Sequence, residues 1–182
     1  MRRLLLLVIG VLLISRGTAL AQDQGDVSGG YRYFRSEGES LSKGWYFDVT
    51  GHLTKVLSIV GEVGGSYRSE SETFGGITAE ANVKVHTFAA GVKLRASKVS
   101  PNAVPFAQVL FGGGKASVAV KAAGITAFDD SSTDPIMHVS GGVDVSGSGS
   151  PVGVRVQAGW LRVFEDDASN IFSFSVGAKI GF

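Results

Sequence analysis

The chain has 182 residues, of which 26 are glycine, 44% are hydrophobic and none is cysteine, and its formal net charge is +1. This length suits a single domain. The lack of cysteine excludes disulfides, thiolate metal sites, cysteine nucleophiles and acyl-anchored lipoproteins. A net charge so close to zero gives no electrostatic support for a nucleic-acid partner, and none is predicted.

The first 21 residues have the features of a cleaved Sec signal peptide. Arg2 and Arg3 precede an unbroken apolar run over residues 4–14, and an Ala-Leu-Ala sequence ends at Ala21. Small residues at that position suit signal peptidase. The run is shorter than the roughly 20 residues that span a bilayer, so an uncleaved anchor is the less favoured alternative. We therefore predict cleavage after Ala21, a mature chain that begins at Gln22, and export from the cytoplasm.

Beyond Gln22, apolar residues fall at every second position, which indicates β-strands with two different faces. Eight such stretches follow one another, with apolar positions that start at Val27, Trp45, Leu57, Phe88, Val104, Met137, Val152 and Phe172. The last is the most regular, because residues 172–182 alternate without a break. Only around Phe106, Gln108 and Leu110 are the two faces ambiguous. A membrane strand needs about 9 to 11 residues, so the length accommodates eight strands.

The predicted connections alternate between long and short. The odd-numbered ones are long and lie near residues 36–43, 69–82, 116–134 and 165–170, whereas the even-numbered ones are short and lie near 54–56, 96–103 and 147–151. Antiparallel strands place all odd connections at one end and all even ones at the other. Long loops at one end and short turns at the other are typical of bacterial outer-membrane barrels.

Alternation alone does not distinguish a membrane barrel from a secreted, soluble lipocalin-like carrier, whose apolar face points inward. Glycine on the polar face favours a crowded lumen, since glycine weakens a solvated strand. Aromatic residues on the apolar face cluster at the long-loop ends, as an interfacial girdle requires. The predicted girdle consists of Tyr33, Trp45, Tyr67, Trp160 and Phe172.

This pattern resembles the small outer-membrane β-barrel proteins of the OmpA and OmpX group over residues 22–182. The resemblance implies an all-β fold, namely an eight-stranded antiparallel up-and-down transmembrane β-barrel in the outer membrane of a Gram-negative-type cell. It also implies a monomer surrounded by outer-membrane lipid and lipopolysaccharide. Phe182 closes an aromatic-ended last strand, which in this group is the signal read by the barrel-assembly machinery.

A membrane barrel must turn its charged side chains inward, because a Lys or Arg in the middle of the hydrocarbon costs about 2 to 4 kcal/mol. The predicted lumen charges are Arg32, Asp48, Glu62, Lys93, Arg95, Asp144, Arg155 and Lys179, with Asp26 as a further candidate. Arg32 and Asp48 flank the first long connection and are expected to be cross-strand neighbours. So narrow a lumen favours a salt-bridged plug over a path for ions or small solutes.

Two weaker signals were weighed for chemistry. His138 and Ser140 are spaced as in outer-membrane lipid A deacylases, but Gly141 replaces the expected Asn and no carboxylate follows at a suitable distance. Acidic pairs at 129–130 and 166–167 lack a defined spacing of metal ligands. We expect no catalysis, cofactor or metal, and predict a structural or surface-interaction role. The alternatives are a narrow passive channel and the soluble carrier.

Overall fold

The computed structural model of the protein describes residues 24–36, 39–41, 43–74, 77–96, 102–122, 125–164 and 169–182. The predicted signal peptide and its cleavage point at Ala21 and Gln22 lie outside these residues and stay predictions. Within the described ranges, no helix has the length and apolarity needed to span a bilayer.

The described chain folds into β-strands that are all antiparallel to their neighbours. The strands are β1 (Gly25–Ser36), β2 (Glu39–Leu41), β3 (Lys43–His52), β4 (Leu57–Phe74), β5 (Ile77–Arg95), β6 (Ala103–Ala122), β7 (Ile125–Ser146), β8 (Val152–Val163) and β9 (Ser169–Gly181). Each strand from β3 onward pairs with the next, and β9 pairs back with β1. The short β2 continues the first hairpin. The predicted eight-stranded up-and-down barrel is confirmed.

The alternating pattern is resolved with the apolar face outward. Val154 and Phe174 expose 49% and 41% of their surface, whereas Arg155 between apolar neighbours on β8 is fully buried. A soluble barrel in water would have the opposite arrangement, since it hides apolar side chains and exposes charges. The apolar exterior therefore suits hydrocarbon rather than water.

Strand pairing proceeds around the barrel with a fixed stagger. The register partners lead from Gly25 through Gly51, Ile59, Val92, Val109, Val139, Trp160 and Phe172 back to β1 at Arg35. The path thus returns to the first strand ten residues further along, and this stagger sets the strand tilt that a closed barrel requires. Because ten is even, outward residues meet outward residues at closure.

The predicted long connections at 69–82 and 116–134 are wrong, because the structure continues β4 to β7 through them. These four strands have 18, 19, 20 and 22 residues, against 12, 10, 12 and 13 in β1, β3, β8 and β9. The extensions were missed because their outward residues are polar, as in Ser69, Ser71 and Thr73, so the contrast in polarity fades above the membrane. We call this part of the sheet the protruding sheet, its end of the barrel the hairpin end, and the opposite end the terminal end.

Two glycines on paired strands, Gly91 facing the lumen and Gly61 facing outward, test how tightly the inner face is packed. A Cβ at Gly91 would meet the carbonyl oxygen of Val109 and approach the Cα of Leu110 to 2.9 Å, whereas a Cβ at Gly61 meets nothing within 4 Å. We expect Gly91→Ala to lower the stability of the barrel by about 1 to 3 kcal/mol through overpacking. Gly61→Ala should leave stability unchanged or raise it slightly. Urea unfolding followed by heat-modifiable gel mobility measures both, and equal midpoints would contradict the packing argument.

Candidate functional site

The lumen near the terminal end holds a cluster of charges centred on Arg155, which we call the lower cluster. The Arg155 guanidinium donates from Nε to Asp144 Oδ1 at 2.7 Å, from Nη1 to Asp48 Oδ1 at 2.7 Å, and from Nη2 to Asp26 Oδ1 at 2.7 Å. Nη1 also donates to the Ser28 hydroxyl at 3.0 Å. One cation is thereby shared among three buried carboxylates from three other strands.

Two lysines complete the charge balance of the lower cluster. Lys179 Nζ lies 3.1 Å from Asp144 Oδ2 and 3.8 Å from Asp26 Oδ2. Lys93 Nζ lies 3.8 Å from Asp48 Oδ1 and donates to the Thr50 hydroxyl at 2.7 Å. The three cations and three carboxylates are therefore matched in number. Such pairing is needed because an unpaired buried charge is strongly destabilising.

Nearer the hairpin end, Arg32 and Glu62 form the centre of an upper cluster. Arg32 donates from Nη1 and Nη2 to the two carboxylate oxygens of Glu62, at 2.8 and 2.6 Å, and from Nε to the Ser175 hydroxyl at 3.0 Å. The Arg32 guanidinium also stands over the Tyr46 ring, 5.0 Å from its centroid. This paired, two-bond geometry is the strongest form of an Arg–carboxylate interaction and fixes both side chains.

The upper cluster includes a serine, a histidine and a carboxylate that are arranged like a hydrolytic triad, namely Ser173, His138 and Glu62. His138 Nε2 lies 2.9 Å from the Ser173 hydroxyl, and His138 Nδ1 lies 3.5 Å from Glu62 Oε1. The three side chains are buried in the barrel, and both Glu62 oxygens are already bonded to Arg32. The Nδ1 atom has no hydrogen bond among the described residues. The carboxylate therefore serves Arg32 rather than orienting a catalytic base.

Above the upper cluster the lumen becomes apolar. Phe34, Ile136 and Leu161 form a buried core, with Leu41, Ala89, Val163 and Ile171 packed against it. A cavity of about 180 Å³ adjoins this core, and Thr87 and Asp134 are among its few polar lining residues. The expectation of a lumen filled by polar and charged side chains is therefore wrong for this layer. Inward apolar residues are indistinguishable in sequence from outward ones when the alternation is imperfect.

The structure places most of the predicted lumen residues in these two clusters. Arg32, Asp48, Glu62, Lys93, Asp144, Arg155 and Lys179 are buried and ion-paired. Arg95 instead lines a polar cavity of about 310 Å³ at the terminal end. The expected proximity of Arg32 to Asp48 is wrong, because Asp48 is the register partner of Ser28 and Glu62.

The parity of His138 and Ser140 points both side chains into the lumen, but sequence reasoning missed several contacts that the barrel makes there. His138 contacts Glu62 in the upper cluster, and the Phe106 ring lies 5.1 Å from both Lys93 Nζ and the Arg155 guanidinium carbon. Phe106, Gln108 and Leu110 all point inward, which resolves the ambiguous faces of β6. The sequence signal for these three residues is that they occupy alternate positions on one strand. Because two of the three are apolar, polarity does not show that this face points into the lumen.

The five predicted girdle residues lie on the outer face of the barrel. Trp45, Trp160 and Phe172 are exposed, and Tyr33 and Tyr67 are half-exposed. Trp45 Nε1 donates to the Tyr67 hydroxyl at 3.2 Å, and Trp160 is the register partner of Phe172. The girdle therefore includes one hydrogen-bonded pair and one pair of residues opposite each other on adjacent strands.

No metal site is evident among the described residues, where no group of three acidic or histidine side chains is suitably placed. The acidic pair at 166–167 lies outside the described residues. The side chain of Asp129 also lies outside them, although that of Asp130 is exposed.

The fold is similar to that of several solved outer-membrane barrels. Neisserial surface protein A has 13% sequence identity and a TM-score of 0.63, and the match covers 87% of this chain and 96% of that one. Ail of Yersinia pestis, solved with the heparin analogue sucrose octasulfate, has 14% identity and a TM-score of 0.60, with 87% of this chain and 99% of that one covered. The N-terminal β-barrel domain of OprF from Pseudomonas aeruginosa has 9% identity and a TM-score of 0.51, with 88% of this chain and 100% of that one covered. No family profile and no curated protein matches the chain. The fold is that of small outer-membrane barrels, and with the apolar exterior it places the protein in the outer membrane.

The lower cluster provides a test of how far the barrel depends on one residue. Arg155→Ala leaves Asp26, Asp48 and Asp144 without their shared cation, and we expect it to lower stability by about 3 to 5 kcal/mol. Arg35→Ala, on the exposed outer face, should change it by less than about 0.5 kcal/mol. Urea titration in detergent micelles, read by Trp fluorescence, measures both. Coincident unfolding curves would show that the lower cluster is dispensable.

Proposed function

We propose that the protein is a sealed outer-membrane barrel that holds the protruding sheet at the cell surface for interaction with other molecules, without catalysis or a cofactor. The observation that carries this proposal is the unequal strand length. Four neighbouring strands continue well beyond the girdle, whereas the other four end close to it. Since the strands extend furthest at the hairpin end, as the long loops of outer-membrane barrels do, this end faces outward from the cell.

The protruding sheet offers unpaired strand edges to a partner. Pairing of β3 with β4 ends at Lys43 and Tyr67, and pairing of β7 with β8 begins at Ile136 and Val163. Beyond these points, no second strand pairs with β4 or β7 among the described residues. Exposed edges bind extended peptide segments through backbone hydrogen bonds. The name of Ail, the attachment invasion locus protein, is consistent with a surface role for this barrel shape.

The two charge clusters and the apolar core support a sealed lumen over the alternative of a narrow passive channel. Each layer spans the interior, and the side chains of Arg32, Tyr46 and Arg155 are among the largest that are fully buried. An eight-stranded barrel has room for side chains but little else. The same burial argues against catalysis at Ser173, since a substrate would have to displace the Arg32–Glu62 pair.

The remaining partners follow from the location. Phe182 lies at the terminal end, where its carbonyl oxygen accepts hydrogen bonds from the amides of Gln24 and Gly25. An aromatic residue at the end of β9, beside the closing strand β1, suits recognition by the barrel-assembly machinery before closure. We propose that the protein acts as a monomer surrounded by outer-membrane lipid and lipopolysaccharide.

A sealed lumen predicts that the purified protein gives no sustained single-channel steps in planar bilayers. The physical reason is that ions would have to break the Arg155 and Arg32 ion pairs in turn. A wide porin reconstituted in parallel shows that the bilayers report conductance. Regular steps from the folded barrel, absent after heat denaturation, would favour the channel alternative.

The chain contains no cysteine, so single cysteines can report its orientation. Ser71→Cys and Ser131→Cys lie in the protruding sheet, and Thr54→Cys lies in the exposed turn between β3 and β4 at the terminal end. On intact cells, we expect a membrane-impermeant maleimide to label the first two. Thr54→Cys should be labelled only after the outer membrane is permeabilised. The reverse pattern would refute a surface role for the protruding sheet.

A further inference from the structure

Five cations on β1, β3, β5, β6 and β8 lie on the outside of the barrel just beyond the aromatic residues, and we call them the collar. Each collar residue lies on the same strand and face as an outward aromatic residue and is nearer the hairpin end. The pairs of aromatic and collar residues are Tyr33 and Arg35, Trp45 and Lys43, Phe88 and Lys84, Phe111 and Lys115, and Trp160 and Arg162. The spacing is two or four residues, as alternation requires for one face.

Strand pairing brings the collar residues of β3 to β6 side by side. Lys43, Tyr67 and Lys84 are successive register partners, and Lys115 is the partner of His86, the outward residue next to Lys84. Tyr67 and His86 contact each other edge to face, with ring centroids 5.6 Å apart, and the Tyr67 hydroxyl lies 3.2 Å from His86 Nε2. These aromatic contacts form a fixed base between the lysines.

Among the described residues, the collar cations differ from four of the lumen cations in having no anionic partner. Arg32, Lys93, Arg155 and Lys179 each form an ion pair with a buried carboxylate. In the part of the chain that the structure describes, no collar residue forms one. Arg162 stands over the Phe164 ring at 5.8 Å, and its buried Nε has no hydrogen-bond partner there. The barrel thus neutralises these four lumen cations itself and leaves the collar cations for an external anion.

The charge of the outer surface is also unequal between its two ends. Between the collar and the terminal end, no described outward side chain on the strands is a carboxylate. At the terminal end the outward positions of the strands are apolar, among them Leu57, Leu94, Val145, Val152 and Ile180. A cationic band at one interface only is complementary to a membrane whose anionic groups are concentrated in one leaflet.

We propose that the collar binds the phosphate groups of a phosphorylated glycolipid in the leaflet at the hairpin end. Outward aromatic residues mark the level of the headgroups, so cations immediately beyond them reach phosphate oxygens. Lys and Arg form short, charge-assisted hydrogen bonds with phosphate. Each Lys or Arg near an anionic membrane surface strengthens binding about fivefold. This inference rests on the outward orientation of the hairpin end proposed above.

The two tryptophans of the chain allow the collar to be tested directly, because Trp45 and Trp160 lie beside Lys43 and Arg162. The protein is reconstituted into vesicles of brominated phosphatidylcholine, which quenches tryptophan fluorescence. Bisphosphorylated lipid A is then added in increasing mole fraction. Lipid A that displaces brominated lipid from the collar restores fluorescence, and the curve gives a relative association constant.

For the wild-type barrel we expect lipid A to be preferred over phosphatidylcholine by about tenfold or more. The variant with Lys43→Gln, Lys84→Gln, Lys115→Gln and Arg162→Gln should lose this preference, as should lipid A from which both phosphates have been removed. A control with Lys55→Gln and Lys121→Gln, two exposed lysines away from the collar, should keep it. Lys→Arg replacements at 43, 84 and 115 should also keep it, because the charge is retained.

Heat-modifiable gel mobility identifies any variant that fails to fold. If the variant with four substitutions does not fold, the double variant Lys84→Gln with Lys115→Gln, on adjacent strands, is tested in its place. An undiminished preference in a folded collar variant overturns the proposal, as does an equal preference for dephosphorylated lipid A. Weaker retention of the variant on immobilised heparin with unchanged lipid preference would assign the collar to a soluble polyanion instead. The maleimide experiment tests orientation separately, so the two failures are distinguishable.

Discussion

The structure depends on one constraint: a charge that is fully buried in the lumen must be neutralised by another side chain, since lipid surrounds the wall and the lumen is too narrow for bulk water. Arg155 meets this constraint for three carboxylates at once. Two of these, Asp26 and Asp48, are more than 100 residues away in sequence. The lower cluster therefore joins β8 to strands on the far side of the lumen, in addition to the backbone ladder between neighbours.

The layers of the lumen follow from the same constraint. Charged residues occupy the terminal half, where the lower and upper clusters pair them, and the apolar core lies nearer the hairpin end. The Phe106 ring lies 5.1 Å from both Lys93 Nζ and the Arg155 guanidinium carbon, so both cations contact the ring. Cation–π contacts of this kind are worth more when desolvated, so an apolar side chain there stabilises the lower cluster. Apolar and charged residues thus share the lumen without contradiction.

Much of the fold was predictable from sequence because alternation reports which residues share a face. The regular run from Phe172 to Phe182 fixed the faces of β9, and the girdle residues marked one interface. Strand partners across the lumen were not predictable in this way, because they depend on the ten-residue stagger. That is why Arg32 was expected beside Asp48, although its guanidinium reaches Glu62 on β4.

The protruding sheet was missed for a related physical reason. Polarity alternates along a strand where lipid surrounds its outer face and the lumen lies on its inner face. Beyond the membrane, water instead of lipid surrounds the outer face of β4 to β7. The outward residues become Ser, Thr, Asn and Lys, so a strand there has the composition of a loop. On the inner face, small apolar residues persist as cross-strand partners, as in Val83 and Val118.

The ion-paired cations of the lumen and the collar cations have different effects on how the barrel holds the protruding sheet. Inner pairing makes the barrel rigid independently of its environment, so the protruding sheet has a fixed base. Outer cations, by contrast, depend on what the membrane supplies, and the collar lies where the protruding sheet begins at Lys84 and Lys115. Anchored lipid headgroups at those positions would surround the base of the sheet and hold it upright. The barrel and the outer leaflet would then together determine how the unpaired strand edges are presented.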